Sequence, residues 1–201
     1  MDNSQELFAA IEVKGLTVDG IRGMHVASLR YFNPAGNFAG AVRERIGSAL
    51  PQPLRADSAT LGSTAVGSTT LVSTTLVSTT QGGDSKFILA WRSPTETLLL
   101  SADPDAFAHL RESLASVPDG CMVDQTGGLC AVRVSGGRAG DMLLRLGSGA
   151  SIPALGEARS SRLADLQVMT LCVQPGTLIL LVERVYLAHL LGWMRTTAAD
   201  L

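Results

Sequence analysis

The chain has 201 residues, a formal net charge of −2, 46% hydrophobic and 17% charged residues, and a mean hydropathy of +0.25. That length allows one sizeable core or two small ones. The negative balance, with lysine only at Lys14 and Lys86 and the arginines scattered, excludes the electrostatic footprint of a nucleic-acid binder. No run of about 18 apolar residues is present, which excludes a membrane-spanning helix.

Charged residues fall below the roughly 25% of typical soluble domains, so part of the surface is expected to lie against another chain. The first residues, Met1-Asp2-Asn3-Ser4-Gln5-Glu6, are polar and acidic, unlike a secretory leader. Cys121, Cys130 and Cys172 are odd in number and widely spaced. They read as small buried residues in a reducing cytoplasm, not as a disulfide framework or a metal site.

In chain order, residues 1–24 have weak periodicity and three glycines (Gly15, Gly20, Gly23), and read as an extended, partly irregular lead-in. His25 to Phe32 alternates as a strand. The loop Asn33-Pro34-Ala35-Gly36-Asn37 offers Asn37 as a helix cap. The helix from Phe38 to Ile46 then places Phe38, Val42 and Ile46 on one face, with Arg43, Glu44 and Arg45 toward solvent. Gly47 ends it, and Pro51 and Pro53 prevent its resumption.

Residues 58–83 are dominated by Ser, Thr and Gly, with Leu-Val-Ser-Thr-Thr twice in tandem at Leu71–Thr75 and Leu76–Thr80. The Thr and Val content allows a strand. The composition favours a loop that is mobile or ordered by a partner. No acid, base or metal ligand in the repeats suggests chemistry.

Beyond it the pattern sharpens. Phe87–Trp91 and Thr97–Leu100 read as strands around the turn Ser93-Pro94-Thr95-Glu96. Asp103 caps a helix with Pro104 at its first position, and Phe107, Leu110 and Leu114 are its buried stripe. Pro118-Asp119-Gly120 stops it. Leu129–Val134 is a strand, Ser135-Gly136-Gly137 a turn, and Ala139–Leu146 a helix ended by Gly147. Leu166–Val173 and Leu178–Val182 flank the turn Gln174-Pro175-Gly176-Thr177, and a helix follows from Val185 to Met194. Tyr186, Leu190 and Trp193 are spaced for one face of it. Two hairpin-then-helix units, each preceded by a strand and a helix, give a doubled β-α-β-β-α plan. The expected fold is therefore α+β, with helices packed on antiparallel sheet and residues 1–201 as one domain.

Candidate chemistry is sparse. His25, His109 and His189 lie on different elements without a second ligand at metal spacing. His189 sits between Tyr186 and Trp193, an aromatic set that suits core closure or contact with a partner better than catalysis. Ser135-Gly136-Gly137-Arg138-Ala139-Gly140 follows a strand and precedes a helix, as a phosphate loop would. It lacks the required glycine spacing and the phosphate-binding lysine, so a tight turn with Ser135 as helix cap accounts for it. Glu183, Arg184 and Asp165 could pair at the ends of the hairpin or meet a partner chain. No catalytic, cofactor or metal residue is assigned. Tyr186, His189 and Trp193 form the candidate partner interface.

One ordered series carries a resemblance. Trp91-Arg92-Ser93-Pro94-Thr95-Glu96-Thr97-Leu98-Leu99-Leu100 is similar to a W-x-x-P-x-E-x-L-L segment. Val132–Gly136, Arg159–Leu166, Leu181–Tyr186 and Trp193 follow at matching distances. In this order they resemble the gamma subunit of heterotetrameric sarcosine oxidase, a small relative of the folate-binding aminomethyltransferase (T-protein) fold. The likeness covers about residues 87–196, and residues 25–55 more weakly. It implies a flavoenzyme that oxidises sarcosine to glycine with release of hydrogen peroxide and passes the one-carbon unit to tetrahydrofolate. The alpha, beta and delta chains would be the partners, and the alpha and beta chains would hold FAD, FMN, NAD and the folate site, with the gamma chain a cofactor-free cytoplasmic scaffold. Beside it stand a small-ligand binding or regulatory module of similar fold and two further alternatives. One is the same role in a complex oxidising another N-methyl amine. The other is a freestanding folate-binding aminomethyltransferase-like protein, for which Asp124 is the nearest candidate catalytic acid.

Overall fold

The computed structural model describes residues 9–47, 50–51, 74–78 and 86–201. The lead-in is more regular than its sequence suggests. Strands β1 (Ile11–Val13) and β2 (Leu16–Ile21) form a hairpin around Gly15, whose φ of +81° suits a residue without a side chain. Strand β3 (His25–Tyr31) leads to helix α1 (Asn37–Ile46), which buries Phe38, Ala39, Val42 and Ile46. Gly47 closes α1 in the left-handed conformation, its N–H donating to the Arg43 carbonyl. Gly36, not Asn37, occupies the cap position, with no side-chain cap. Asn37 instead donates from Nδ2 to Asp119 Oδ2 at 2.9 Å.

The repeat region departs from expectation in one segment. Thr74–Ser78 is strand β4, paired antiparallel with β5 (Lys86–Ser93) from Thr74↔Ala90 to Ser78↔Lys86. Threonine and valine fit a pleated edge once a neighbouring strand offers its backbone. The rest of the 58–83 stretch lies outside the described residues. Strand β6 (Glu96–Ser101) returns from the Pro94-Thr95 turn, and helix α2 (Pro104–Leu114) starts as expected. Asp103 accepts from the N–H groups of Asp105 and Ala106 at 3.0 and 2.9 Å, filling two of the donors that a helix start leaves unpaired. Strand β7 (Gly120–Asp124) completes this half.

The second half repeats the first. Strand β8 (Leu129–Ser135) leads to helix α3 (Ala139–Leu146), then strands β9 (Ala158–Leu163), β10 (Leu166–Gln174) and β11 (Thr177–Glu183), and helix α4 (Leu187–Ala199). Ser135 ends β8 and does not cap α3, because Gly136 and Gly137 separate it from the helix. Arg138 holds that cap position without a side-chain bond. Helix α4 runs on to Ala199, past the expected Met194, and its first turn, Arg184–Tyr186, is a 3-10 segment.

Strand order is β1-β2-β8-β11-β10-β9 in one sheet and β4-β5-β6-β3-β7 in the other. The unit β3-α1-β4-β5-β6-α2 therefore has the same layout as β8-α3-β9-β10-β11-α4. The plan is β-α-β-β-β-α, one strand longer than the sequence reading. In each unit the added strand lies at the edge of its sheet, β4 or β9, with no strict apolar alternation to announce it.

The strand before each unit is exchanged. β2 precedes the first unit but pairs with β8 of the second, from Thr17↔Ser135 to Ile21↔Ala131. β7 precedes the second unit but pairs with β3 of the first, from Ala27↔Asp124 to Tyr31↔Gly120. Each link to the next strand must therefore cross from one sheet to the other.

Burial shows four layers. Val26, Ala90, Leu98 and Leu100 of one sheet meet Ala131, Met169, Leu171, Ile179 and Leu181 of the other. The outer face of the first sheet is covered by Phe38, Val42, Phe107 and Leu110 of α1 and α2. That of the second is covered by Met142, Leu143, Leu190 and Met194 of α3 and α4. Leu98-Leu99-Leu100 and Leu178–Val182 are unbroken apolar runs because those strands are buried on both faces. Each fully buried leucine contributes about 1.5–3 kcal/mol of transfer free energy.

Candidate functional site

The two crossing links meet at one end of the sandwich. As β7 ends, Asp124 Oδ1 accepts the Thr126 N–H at 2.8 Å, a side-chain turn that frees Gly127 and Gly128 to reverse the chain. Thr126 Oγ1 accepts the Val26 N–H at 3.1 Å, and the Gln125 N–H donates to the Val26 carbonyl at 2.8 Å. These bonds tie the β7–β8 link to the start of β3. From the end of β11, Arg184 donates through Nε to the Gly127 carbonyl at 2.7 Å and through Nη2 to the Thr126 carbonyl at 3.0 Å. Its backbone N–H reaches the Gly128 carbonyl at 2.8 Å.

The sequence allowed Glu183, Arg184 and Asp165 to pair across the hairpin ends, and the structure separates them. Arg184 donates through Nε and Nη2 to backbone carbonyls instead. Asp165 lies with Ala164 in a two-residue turn, with φ of +63° and +48°, that joins β9 to β10. None of the three makes an ion pair among the described residues.

Beside this crossing lies a cleft of about 230 Å³. Arg22, His25 and Arg184 line it, together with the apolar side chains of Ile21, Leu129 and Ala131. His25 also stacks on Phe107, ring centres 5.1 Å apart. Cys130 borders the same space but is buried in the core of the second sheet, and that burial pushes its thiol up despite the opposing charge of Arg184.

Asp124 sits at the edge of the crossing. Burial alone would raise its pKa. The Thr126 side-chain and backbone hydrogen bonds, then the charges of Arg111 and His25, outweigh that and hold the carboxyl below its ordinary value. Its Oδ2 lies 3.7 Å from Arg111.

The aromatic set on α4 divides between core and surface. Leu190 is fully buried, and the core face of the helix is Leu187, Leu190, Leu191, Met194 and Ala198. Tyr186 is 47% and Trp193 51% exposed, so these two do not share the buried face with Leu190. His189 is exposed and meets Trp193 edge-on at 6.5 Å between ring centres. Val185, 77% exposed beside Tyr186, belongs to the same apolar surface, which the sequence reading passed over. Cys121 also proved exposed, because β7 is an edge strand; Cys130 and Cys172 are buried as expected. His25, His109 and His189 stay on separate elements, and no three His, Cys, Asp or Glu side chains gather as a metal site among the described residues. No helix among them is long and apolar enough to cross a membrane.

No protein-family model and no curated protein matches the sequence. The fold does match solved structures. A chain of the heterotetrameric sarcosine oxidase from Corynebacterium sp. U-96, in complex with pyrrole 2-carboxylate, superposes with a TM-score of 0.70 at 15% identity. The match covers 98% of this chain and 92% of that one, so the two are of nearly equal length. The glycine cleavage system aminomethyltransferase T from Bartonella henselae superposes with a TM-score of 0.56 at 13% identity. It covers 96% of this chain but only 47% of the transferase, which is about twice as long. The α+β architecture expected from the sequence is thus the one these two proteins share. At such identities the likeness is one of fold.

Proposed function

We propose that the chain is a small non-catalytic subunit of a heterotetrameric sarcosine-oxidase-type flavoenzyme, in the position of the gamma chain. The observation that carries this reading is the end-to-end superposition on one chain of such an oxidase, of nearly equal length. The motif series from Trp91 to Trp193 supports it from the sequence. In this reading the larger alpha and beta chains and the small delta chain are the partners. The partners hold FAD, FMN, NAD and tetrahydrofolate. The assembly, in the cytoplasm, oxidises the N-methyl group of sarcosine to give glycine, hydrogen peroxide and 5,10-methylenetetrahydrofolate.

The contribution of this chain is to hold partners in place. Its charged fraction of 17% is low for a surface wholly in water. Val185, Tyr186 and Trp193 expose large apolar side chains, and tyrosine and tryptophan are frequent anchors of interfaces. Isolation of the tagged chain from its native cells tests the reading. Recovery in a large yellow complex that consumes sarcosine and releases peroxide supports it, and a colourless 21.0 kDa species contradicts it. A complex that prefers another N-methyl amine would keep the subunit role and change the substrate.

A second reading, a freestanding folate-binding protein of the aminomethyltransferase type, draws on the T-protein superposition. Its candidate acid, Asp124, is engaged by Thr126 and Arg111. Folate binding by the isolated chain that is lost in Asp124→Ala would favour this reading.

A further inference from the structure

We propose that the cleft at the crossing of the two links is a binding site for the carboxylate of a small organic acid with a short apolar body. The first support is the state of Arg184. Two backbone carbonyls fix its guanidinium through Nε and Nη2, and Nη1 has no partner among the described residues. Among the described residues no carboxylate forms an ion pair with it. A planar donor already held in place loses little freedom when it receives an anion, and its geometry suits a carboxylate.

The second support is the company it keeps. Arg22, from the opposite link, lines the same cleft and adds a second positive charge near Arg184, while the His25 ring is turned to Phe107. Asp124 is the acidic group whose charge acts on His25 from this side, and its oxygens are turned to Thr126 and Arg111. The third support is the remaining lining. Ile21, Met24, Leu129 and Ala131 offer apolar surface to the body of the ligand. A space of about 230 Å³ is below the range of drug-sized pockets and suits a molecule of roughly ten non-hydrogen atoms. The site belongs to this chain alone, so the inference stands apart from the subunit reading.

The test uses the full-length chain, with benzoate as probe and benzamide as its uncharged isostere, titrated by calorimetry and ligand-observed NMR. Benzoate is expected to saturate with a Kd of about 1 mM or tighter, and benzamide to bind at least about tenfold more weakly. Arg184→Gln should weaken benzoate at least about tenfold. That change also removes bonds to the turn, so Met24→Glu is the companion variant. It places a carboxylate in the cleft, leaves the Arg184 bonds intact, and should weaken benzoate by a similar factor. Failure to saturate by about 20 mM, equal binding of benzamide, or an unchanged Kd in Met24→Glu would each overturn the proposal.

Discussion

Arg184 donates to the carbonyl of Gly127 at 2.7 Å, joining positions 57 residues apart. One side chain thereby clamps the end of β11 onto the link that carries β7 into β8. The exchange of lead strands depends on that link holding its course between the two sheets. Arg184→Met removes two charge-assisted bonds and leaves two carbonyls to water. It should cost about 1–2 kcal/mol in urea unfolding, and Arg184→Lys should recover less than half because an ammonium cannot span both acceptors.

The glycines between β8 and α3 respond to backbone geometry and not to a ligand. Gly136 has φ of +114°, its N–H donates to the Gly176 carbonyl at 2.9 Å, and a Cβ there would sit 2.3 Å from the Gly15 carbonyl oxygen. The backbone of the β1–β2 turn is the obstacle, so nothing flexible can give way. Gly136→Ala should destabilise by about 2–4 kcal/mol, whereas Gly137→Ala, which meets nothing within 4 Å, should stay within about 0.5 kcal/mol. Thermal and urea unfolding of the two variants compare them directly.

Trp193 and Leu190 separate assembly from folding on one helix. Trp193 is 51% exposed and Leu190 is fully buried. Leu190→Ala should cost about 2–5 kcal/mol of stability. Trp193→Ala should leave the melting temperature of the isolated chain nearly unchanged and weaken its retention in a complex. A large drop in melting temperature for Trp193→Ala, with retention intact, would remove it from the interface.

Asp124 sets a pH dependence of known sign. Its carboxyl titrates below its ordinary value because the Thr126 bonds and the Arg111 and His25 charges outweigh the effect of burial. Its stabilising contribution is therefore fully present above the unfolded pKa of about 3.9 and is lost as pH falls through the lower folded value. Asp124→Asn should lower stability at neutral pH and show a shallower loss in that acid window. Parallel acid titrations followed by circular dichroism would show whether the two curves converge as pH falls.

The sequence revealed the elements that carry their own punctuation. Asp103-Pro104 marks the start of α2, Gly47 the end of α1, and the apolar run Leu178–Val182 a strand buried on both faces. The edge strands escaped notice for a physical reason. β9 reads Ala-Arg-Ser-Ser-Arg-Leu, and its polar centre is stable only because β10 lies beside it.

The exchange of β2 and β7 was equally invisible, since local pattern says that a segment is a strand but not which strand it pairs with. The cleft follows from that exchange. Arg22, His25, Ala131 and Arg184 come together only when both links cross. The Asp124–Gly128 turn was the one local sign that something is built there.

The proposed role requires the chain to work inside a larger assembly. Its most direct test is the mass and visible absorption of the tagged chain isolated gently from its native cells. A yellow complex with larger chains that turns over sarcosine is the expected result. A colourless 21.0 kDa monomer would contradict it.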